Sequence, residues 1–577
     1  MEFNRNLLAV SGTPGAGPAP AAPFGGGASV AHRPWGRLWI DGTLPGERGV
    51  VALALGPRDH DFRPVDAEIL ARWLRAGTPL AQMAAPFAAV AYDDQQLIAA
   101  TDHIGLRHLY GVRGDGWAAV STSALELARL AGAPLDRHAV GTYAVTGFHL
   151  GEATPFQGVT KLPAGSTWRL AGGELTTTSY VDTTGPAEVP GGDPVEAMAA
   201  LLRGNVERCL DEHPDTVFEL SGGFDSRLAF AALPAARRAG VRTLTLSAPG
   251  RADPVIAGEL AAHFRTDHQV IDLTKLGDLT PEAAYELVDA SALRHDTVGN
   301  PVALGVLDWV ESQVPPGVRI TGQGGEMARG SYHMGQQQHD APDTELVDRL
   351  ARWWFLTNDA TAADALEPDF AASARADGAA AIRRAFAGYH TDWLTAIDEF
   401  FLQERVHRWV GINFTGACLD RTIVGPYLDP RFLALARSVP PTRRSGSGYA
   451  ARVLERLDPW LANARLATGV RPRHLPRRYV PKQLAEYSVR KYAQRGMEKV
   501  YQFARGKAAT AAGTPVLADL VVRHWREQPK LVEPVLRSGF VREAWLSGLL
   551  SGEFGTDAAT VGFLANLAVV ERQSVPA

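Results

Sequence analysis

A short apolar run followed by two adjacent glycines constrains the fold of this chain more than any other feature. Val217, Phe218 and Leu220 precede Ser221-Gly222-Gly223, and a second apolar segment with helical spacing begins at Leu228. This order is typical of a β-strand, a tight turn and the start of a helix. The stretch therefore predicts a β-turn-α unit in an α/β domain.

The residues of this turn are suited to binding an anion. Two glycines let backbone N–H groups approach an anion without interference from a Cβ atom, and the helix N-terminus adds partial positive charge. Ser221 and Ser226 supply hydroxyl groups, and Asp225 is suited to binding Mg²⁺. No Gly-Lys-Ser/Thr follows the glycines, so the turn is not a Walker A loop. An ordinary β-turn-α connection is the alternative interpretation.

A second glycine-rich turn follows another apolar strand, within Val318 to Tyr332 (VRITGQGGEMARGSY). Its Glu326, like Asp225 of the first turn, is an acid that closely follows the glycines. Taken alone, the second turn is equally typical of a generic turn with a solvated acid. Between the two turns, Arg242 to Ser247 predicts a buried strand, whose carboxyl end is where open α/β sheets bind ligands.

The string S-G-G-F-D-S resembles the pyrophosphate-binding loop of the asparagine synthetase family of ATP pyrophosphatases. Members of this family adenylate a carboxylate and transfer the acyl group to an amine. The second turn resembles the family segment S-G-E-G-A-D-E-x-F-G-G-Y, so the resemblance implies that Asp225 and Glu326 share Mg²⁺. It implies the following ATP-binding residues: Leu220, Ser221, Gly222, Gly223, Asp225, Ser226, Ser247 and Gly322.

The amino-terminal half resembles the glutaminase domain of the same family. Phe87 to Tyr110 alternates like two strands, and Thr154 to Gly165 is similar to the turn at the end of that domain. Glutamine-dependent members carry a cysteine directly after the initiator Met, whereas this chain has Glu2 there and its two cysteines are Cys209 and Cys418. The resemblance implies an Ntn-type α+β sandwich that lacks the catalytic cysteine.

The chain has 577 residues, which is longer than a single domain with one hydrophobic core normally is, so two or more domains are expected. We predict an α/β protein with a degenerate glutaminase-like domain over residues 1–190, including a flexible Gly/Pro/Ala-rich segment at 11–29. An ATP-dependent synthetase domain with the parallel sheet of adenine-nucleotide α-hydrolases is predicted over residues 191–577. Val424 to Pro441 resembles a core segment of such synthetases, so Pro426, Tyr427 and Phe432 are expected to be buried.

Composition and charge narrow the class of protein. The apolar content of 46% and the charged content of 21% are typical of a globular protein, and the net charge of −5 gives no reason to expect a nucleic-acid partner. Two distant cysteines indicate a reducing compartment. No apolar run reaches the length of a membrane span, so we expect a cytoplasmic protein without a membrane partner.

Four residues are candidate catalytic residues. Gln323 stands where asparagine synthetases have the first acid of G-E-G, and a neutral amide is not a base. The lysine of the family's R-P-K turn corresponds either to Arg473 of Arg-Pro-Arg or to Lys482 of Val-Pro-Lys. Glu404, on a predicted amphipathic helix, either faces the active cleft or belongs to a surface ion pair.

S-G-G-F-D-S-R together with G-Q-G-G-E resembles the lasso peptide cyclases. This resemblance implies an enzyme that uses ATP and Mg²⁺ to adenylate an Asp or Glu side chain of a core peptide. It then closes a macrolactam with the peptide's N-terminal amine and releases AMP and pyrophosphate. The expected partners are the precursor peptide core, a leader peptidase and a leader-binding protein. The alternatives are an ammonia-dependent asparagine synthetase, a small-molecule amide or β-lactam synthetase, and a non-catalytic ATP-binding or scaffold protein.

Overall fold

Two antiparallel sheets and one parallel sheet, surrounded by helices, form the framework of the protein. This architecture is seen in a computed structural model that describes residues 6–13, 17–18, 23–41, 49–53, 57–59, 61–77, 80–181, 192–333, 336–356, 359–417, 421–475 and 512–573. The predicted boundary at residue 190 and Glu2 lie outside the described residues. The predicted α/β class with a parallel sheet is confirmed.

The antiparallel sheets are built from the strands β1 (Leu7–Gly12), β2 (Ser29–Arg33), β3 (Gly36–Ile40), β4 (Gly49–Ala52), β5 (Ala88–Tyr92), β6 (Leu97–Thr101), β7 (Tyr110–Gly114), β8 (Trp117–Ser121), β9 (Val159–Lys161), β10 (Ser166–Ala171) and β11 (Glu174–Ser179). One sheet has the order β2-β3-β1-β8-β7-β9 and the other has the order β11-β10-β6-β5-β4. The two strands predicted within Phe87 to Tyr110 are β5 and β6. The segment 11–29 includes the end of β1, a 3₁₀ turn at Pro23–Gly26 and the start of β2.

These two sheets pack face to face because their strands alternate apolar and polar side chains. In β10, Trp168 is buried between the sheets, and the next residue, Arg169, is exposed. Helix α1 (Ala67–Ala76) covers the outer face of the five-stranded sheet, and α2 (Ala124–Ala131) covers the outer face of the six-stranded sheet. The amino-terminal part is therefore a four-layer α-β-β-α sandwich.

The parallel sheet contains β12 (Val217–Glu219), β13 (Arg242–Ser247), β14 (Asp267–Asp272), β15 (Val318–Ile320) and β16 (Thr422–Val424). Its order is β14-β13-β12-β15-β16, and every neighbouring pair is parallel. Since β12 and β15 are direct neighbours, the segments that follow them leave the sheet side by side at its carboxyl edge. This edge is where a sheet of this type binds ligands.

The remaining α-helices are α3 (Arg137–Thr146), α4 (Pro194–Glu212), α5 (Asp225–Ala232), α6 (Asp253–Phe264), α7 (Pro281–Arg294), α8 (Pro301–Ser312), α9 (Glu326–Arg329), α10 (Thr344–Leu350), α11 (Pro368–Ala387), α12 (Trp393–Phe400), α13 (Gly411–Ala417), α14 (Pro430–Ser438), α15 (Pro441–Arg444), α16 (Gly448–Leu457), α17 (Pro459–Asn463), α18 (Thr514–Glu527), α19 (Glu543–Ser551) and α20 (Ala558–Gln573). Segments of π-helix follow α10 at Ala351–Phe355 and join α12 to α13 at Phe401–Val410. None of the described helices combines the length and the apolar character that crossing a bilayer requires.

Apolar contacts join the sandwich to the helices around the parallel sheet. Tyr110 and Val112, on the outer face of the six-stranded sheet, share a cluster with Ile412 and Val569. The predicted burial of Pro426, Tyr427 and Phe432 is confirmed, and the latter two belong to the core that surrounds β12 and α5. The sandwich thus packs directly on the part of the chain that carries the glycine-rich turns.

We predict that Trp168→Ala lowers the free energy of unfolding by about 3–5 kcal/mol, because it leaves a cavity between two packed sheets. Trp168 is 1% exposed, so the surrounding layers cannot collapse without shifting strands. Urea unfolding followed by circular dichroism measures the effect. Arg169→Ala, one residue away on the exposed face, is the matched control and changes the unfolding free energy by no more than about 0.5 kcal/mol. Equal effects of the two substitutions would contradict the sandwich packing.

Candidate active site

The two glycine-rich turns touch each other at the carboxyl edge of the parallel sheet. A Cβ atom on Gly322 would lie 2.7 Å from the backbone nitrogen of Ser226, and one on Gly325 would lie 2.6 Å from Oδ1 of Asp225. Only glycine allows this approach, since a Cβ atom at either position would force the turns apart. The contact places Asp225, the first residue of α5, beside Glu326, the first residue of α9.

The first turn is held in shape by its own hydroxyl groups. The Oγ atoms of Ser221 and Ser226 are 2.7 Å apart, and Ser226 Oγ also accepts a hydrogen bond from the Ser221 N–H at 3.1 Å. Ser221 Oγ accepts the Gly223 N–H at 3.0 Å. The Gly222 carbonyl accepts the N–H of Ala467 at 2.8 Å, and a Cβ atom on Gly222 would lie 2.8 Å from the Ala467 side chain. The turn is therefore preformed, with the chain around Ala467 packed against it.

Asp225 and Glu326 form a pair of neighbouring carboxylates. Asp225 Oδ2 accepts a hydrogen bond from Arg329 Nη2 at 2.5 Å, and Glu326 Oε2 accepts the Gly324 N–H at 3.1 Å. Burial raises the pKa of Asp225, the Arg329 guanidinium opposes this shift, and the nearby Glu326 carboxylate adds to it. Asp225 Oδ1 is buried and has no hydrogen-bond partner among the described residues. A buried oxygen without a partner, beside a second acid, fits a Mg²⁺ site.

Further contacts fix the position of the two acids. Tyr427 Oη donates to the Asp225 carbonyl at 2.6 Å, so a predicted core residue also supports the site. Arg444 donates to the Met327 carbonyl at 2.9 Å and forms an ion pair with Asp398 at 2.7 Å. Asp398 also contacts His333, which follows α9, at 3.0 Å. The short helix that carries Glu326 is thus held near both of its ends.

A cavity of about 610 Å³ opens at the meeting point of the turns, a volume suited to a small molecule. Its walls include Leu244 and Leu246 of β13, Leu304 of α8, and Phe148, which follows α3 in the sandwich. The predicted residues that line it are Leu220, Ser221, Gly223, Asp225, Ser226, Gly322, Gln323 and Glu326. Most of the predicted nucleotide and metal residues are therefore gathered in one place.

Two of the predicted nucleotide-binding residues do not line this cavity. Gly222 packs against the Ala467 loop instead. Ser247, the last residue of β13, is also not part of the lining, although its neighbours Leu246 and Ala248 are. On β13 itself the lining consists of Leu244, Thr245 and Leu246, so it ends one residue before Ser247.

The four candidate catalytic residues are dispersed. Gln323 lines the cavity, and its Oε1 is buried without a hydrogen-bond partner among the described residues. Glu404 is buried, accepts the Gly151 N–H at 2.7 Å and does not line the cavity, so it does not belong to a surface ion pair, and its catalytic role stays a prediction. Burial raises the pKa of Glu404 to about 6. Arg473 lies in the 3₁₀ turn Pro472–His474, away from the cavity lining, and Lys482 lies outside the described residues.

Several charged residues at this site were not predicted from the sequence, and two of them, Arg329 and Glu219, form hydrogen bonds with residues of the two turns. Arg329, which pairs with Asp225, stands three residues after Glu326, so the helical spacing of the second turn carried a signal for it. Glu219 lines the cavity from the end of β12, and its Oε2 accepts a hydrogen bond from Thr321 Oγ1 at 2.7 Å. The available signal was an acid within a central parallel strand, where both faces of the sheet are normally apolar.

We predict that Gly322→Ala and Gly325→Ala each push the two turns apart. Each substitution lowers the unfolding free energy by about 1–3 kcal/mol through overpacking and weakens Mg-ATP binding by at least about tenfold. Isothermal titration calorimetry and urea unfolding measure the two effects. Gly258→Ala is the control, since a Cβ atom there meets nothing within 4 Å in α6. Wild-type ATP affinity in both turn variants would contradict the role given to the close approach.

Comparison with known proteins gives one match to a family model. Residues 197–408 match the model described as asparagine synthase, which runs from α4 through both glycine-rich turns to the π-helical segment. No curated protein matches the chain significantly. The matched range contains both turns and both acids of the proposed metal pair.

Among solved structures, the chain is similar to a glutamine phosphoribosylpyrophosphate amidotransferase from B. subtilis complexed with ADP and GMP. That likeness has 11% identity and a TM-score of 0.21, and covers 46% of this chain and 81% of the other. A second similar structure is described as the allosteric regulatory enzyme of purine biosynthesis, with 9% identity, a TM-score of 0.19, and coverage of 46% and 75%. We assign the fold from the strands and their order, because TM-scores this low do not establish a shared fold.

The asparagine synthase family consists of ATP-dependent ligases that form carbon–nitrogen bonds. The residues that match it are those whose turns meet at the cavity. Residues 197–408 are therefore an asparagine synthase-type region, and the protein is an ATP-dependent ligase that forms carbon–nitrogen bonds.

Proposed function

We propose that this ligase is a lasso peptide cyclase. It adenylates an Asp or Glu side chain of a core peptide and joins it to the peptide's N-terminal amine. The observation that carries the proposal is the meeting of the S-G-G-F-D-S and G-Q-G-G-E turns at one cavity. A second, smaller cavity that shares Glu219 and Gln323 adjoins the first, which favours a substrate that extends beyond the nucleotide.

In the first step, the substrate carboxylate attacks the α-phosphorus of ATP and pyrophosphate leaves. The N-terminus of α5 and the hydroxyl groups of Ser221 and Ser226 are placed to stabilise the departing anion. Asp225 and Glu326 are the residues that would hold Mg²⁺, which neutralises phosphate charge when it is bound. In the second step, an amine attacks the acyl-adenylate and AMP leaves.

The source of the amine is inferred from the cysteines. Cys209 is buried, and burial raises the pKa of its thiol to about 11, so it is not an activated nucleophile for glutamine hydrolysis. Cys418 lies outside the described residues, and the sequence before Cys209 contains no cysteine. These facts favour an amine that belongs to the substrate. The precursor peptide, a leader peptidase and a leader-binding protein are accordingly proposed partners in the cytoplasm.

Mass spectrometry of the purified protein with Mg-ATP tests this function directly. The probes are leaderless synthetic peptides with a free N-terminus and one internal Asp or Glu, the same peptides with an acetylated N-terminus, and aspartate with ammonia. The expected result is the loss of one water from a free peptide together with AMP formation, and no such loss from its acetylated form. Asparagine formation without peptide cyclisation would instead identify an ammonia-dependent asparagine synthetase.

Asp225→Ala is expected to abolish carboxylate-dependent ATP–pyrophosphate exchange, because it removes the buried oxygen assigned to the metal. Asp211→Ala is the matched control, since that acid lies on an exposed part of α4 and pairs with Arg237. The control is expected to exchange at the wild-type rate. Retained exchange in a folded Asp225→Ala variant would remove Asp225 from the proposed metal site.

A further inference from the structure

The amine must lose a proton during acyl transfer, and neither Gln323 nor the two acids assigned to the metal accepts it. Gln323 lines the cavity, but a neutral amide is not a base. Asp225 and Glu326 are assigned to the metal. The base must therefore be another group at the same cavity, and this inference rests on the proposed function.

Strand pairing places one further acid beside Gln323. The parallel register pairs Phe218 of β12 with Ile320 of β15, so Glu219 and Thr321 follow as neighbours at the carboxyl edge. Thr321 Oγ1 donates a hydrogen bond to Glu219 Oε2 at 2.7 Å and accepts one from the backbone N–H of Gln323 at 3.3 Å. Thr321 thus links the Glu219 carboxylate to the Gln323 backbone, and Glu219 and Gln323 line both cavities.

The other acids of the cavity lining are committed elsewhere. Glu311 of α8 forms ion pairs with Arg319 and Arg421 through its two carboxylate oxygens. Asp253, at the start of α6, lies beside Gly222 of the first glycine-rich turn. It lines the first cavity but not the second. Glu219 Oε1 also forms an ion pair with Arg319 Nη1, but at 3.9 Å this contact is longer than either ion pair of Glu311 and is too long for a hydrogen bond.

The surroundings of Glu219 favour a carboxylate that accepts a proton readily. Burial raises the pKa of Glu219, and the Glu311 carboxylate acts in the same direction. Arg319, the Thr321 hydroxyl and the Gly322 N–H oppose this shift without cancelling it. A carboxylate with a raised pKa is a stronger base at neutral pH than an ordinary glutamate.

We propose that Glu219 is the general base of the acyl-transfer step. The uncharged amine attacks the carbonyl carbon of the acyl-adenylate, and the new C–N bond leaves a positive charge on nitrogen. That nitrogen gives one proton to the Glu219 carboxylate. The C–O bond to the phosphate of AMP then breaks, and its electron pair leaves with AMP. The products are the amide, AMP and a protonated Glu219, which returns the proton to water.

The test separates the two half-reactions in a Glu219→Gln variant. Cyclisation of the free peptide is expected to fall by about 10²–10⁴-fold, the usual contribution of a general base. ATP–pyrophosphate exchange with the acetylated peptide falls far less, because it needs no amine. Trapping of the acetylated peptide's adenylate by hydroxylamine also falls far less, because hydroxylamine nitrogen is weakly basic and loses its proton to water.

The pH dependence gives a second readout. Wild-type cyclisation rises with pH as Glu219 loses its proton, since the base acts only in its ionised form. Glu219→Gln lacks this rise, and Glu219→Asp restores part of the cyclisation. Asp211→Asn is the control: Asp211 pairs with Arg237 on an exposed part of α4 and lines neither cavity, so its loss leaves cyclisation at the wild-type rate.

Three results would overturn the assignment. The first is wild-type cyclisation by folded Glu219→Gln. The second is an equal loss of exchange, trapping and cyclisation in that variant, which would place Glu219 in nucleotide binding. The third is the absence of exchange in the wild-type protein with every carboxylate probe, which would remove the proposed function and this inference with it. Circular dichroism of each variant establishes that it is folded.

Discussion

The close approach of the two glycine-rich turns is the contact on which the rest of the site depends. It follows from sheet topology, because β12 and β15 are parallel neighbours and their turns leave the same edge. The backbone of Gly322 against Ser226, and of Gly325 against Asp225, sets the separation of the two acids. A pair of oxygens positioned by backbone contact is more rigid than one positioned by flexible side chains. Such rigidity is what a preorganised phosphate site requires.

Buried arginines hold this arrangement together. Arg227 of α5 donates to the carbonyls of Ala464 and Arg465 at 2.6 and 2.7 Å, and so ties the helix that follows the first turn to the loop that packs on Gly222. Arg329, on the second turn, donates to Asp225 Oδ2 and offsets the negative charge of that carboxylate. The planar guanidinium suits this role because it has several donors in a fixed geometry. A buried carboxylate without such a partner would be strongly destabilising, so Asp225 depends on Arg329.

Much of this organisation could be predicted from the sequence. The strand Arg242–Ser247 has the predicted bounds, and a helix, Asp225–Ala232, follows the first turn as predicted. Local signals sufficed there, because apolar periodicity and turn residues act over a few positions. Contacts between residues far apart in the chain could not be predicted from such local signals. The cavity lining includes Thr245 and Leu246 but not Ser247, and the burial of Glu404 depends on a backbone N–H 253 residues away in the chain.

The position of Glu404 also explains what the sandwich contributes to the cavity. Its bond to the Gly151 N–H holds the segment after α3, and Gly147 and Phe148 of that segment line the cavity. Four residues later on the same helical segment, Arg408 donates to the carbonyls of His149 and Ala153 and lines the cavity itself. The amino-terminal part therefore forms one wall of this cavity, and buried hydrogen bonds attach it to the synthase-type region. The sandwich has no nucleophilic cysteine, but it still contributes to the cavity, because it closes one side of it.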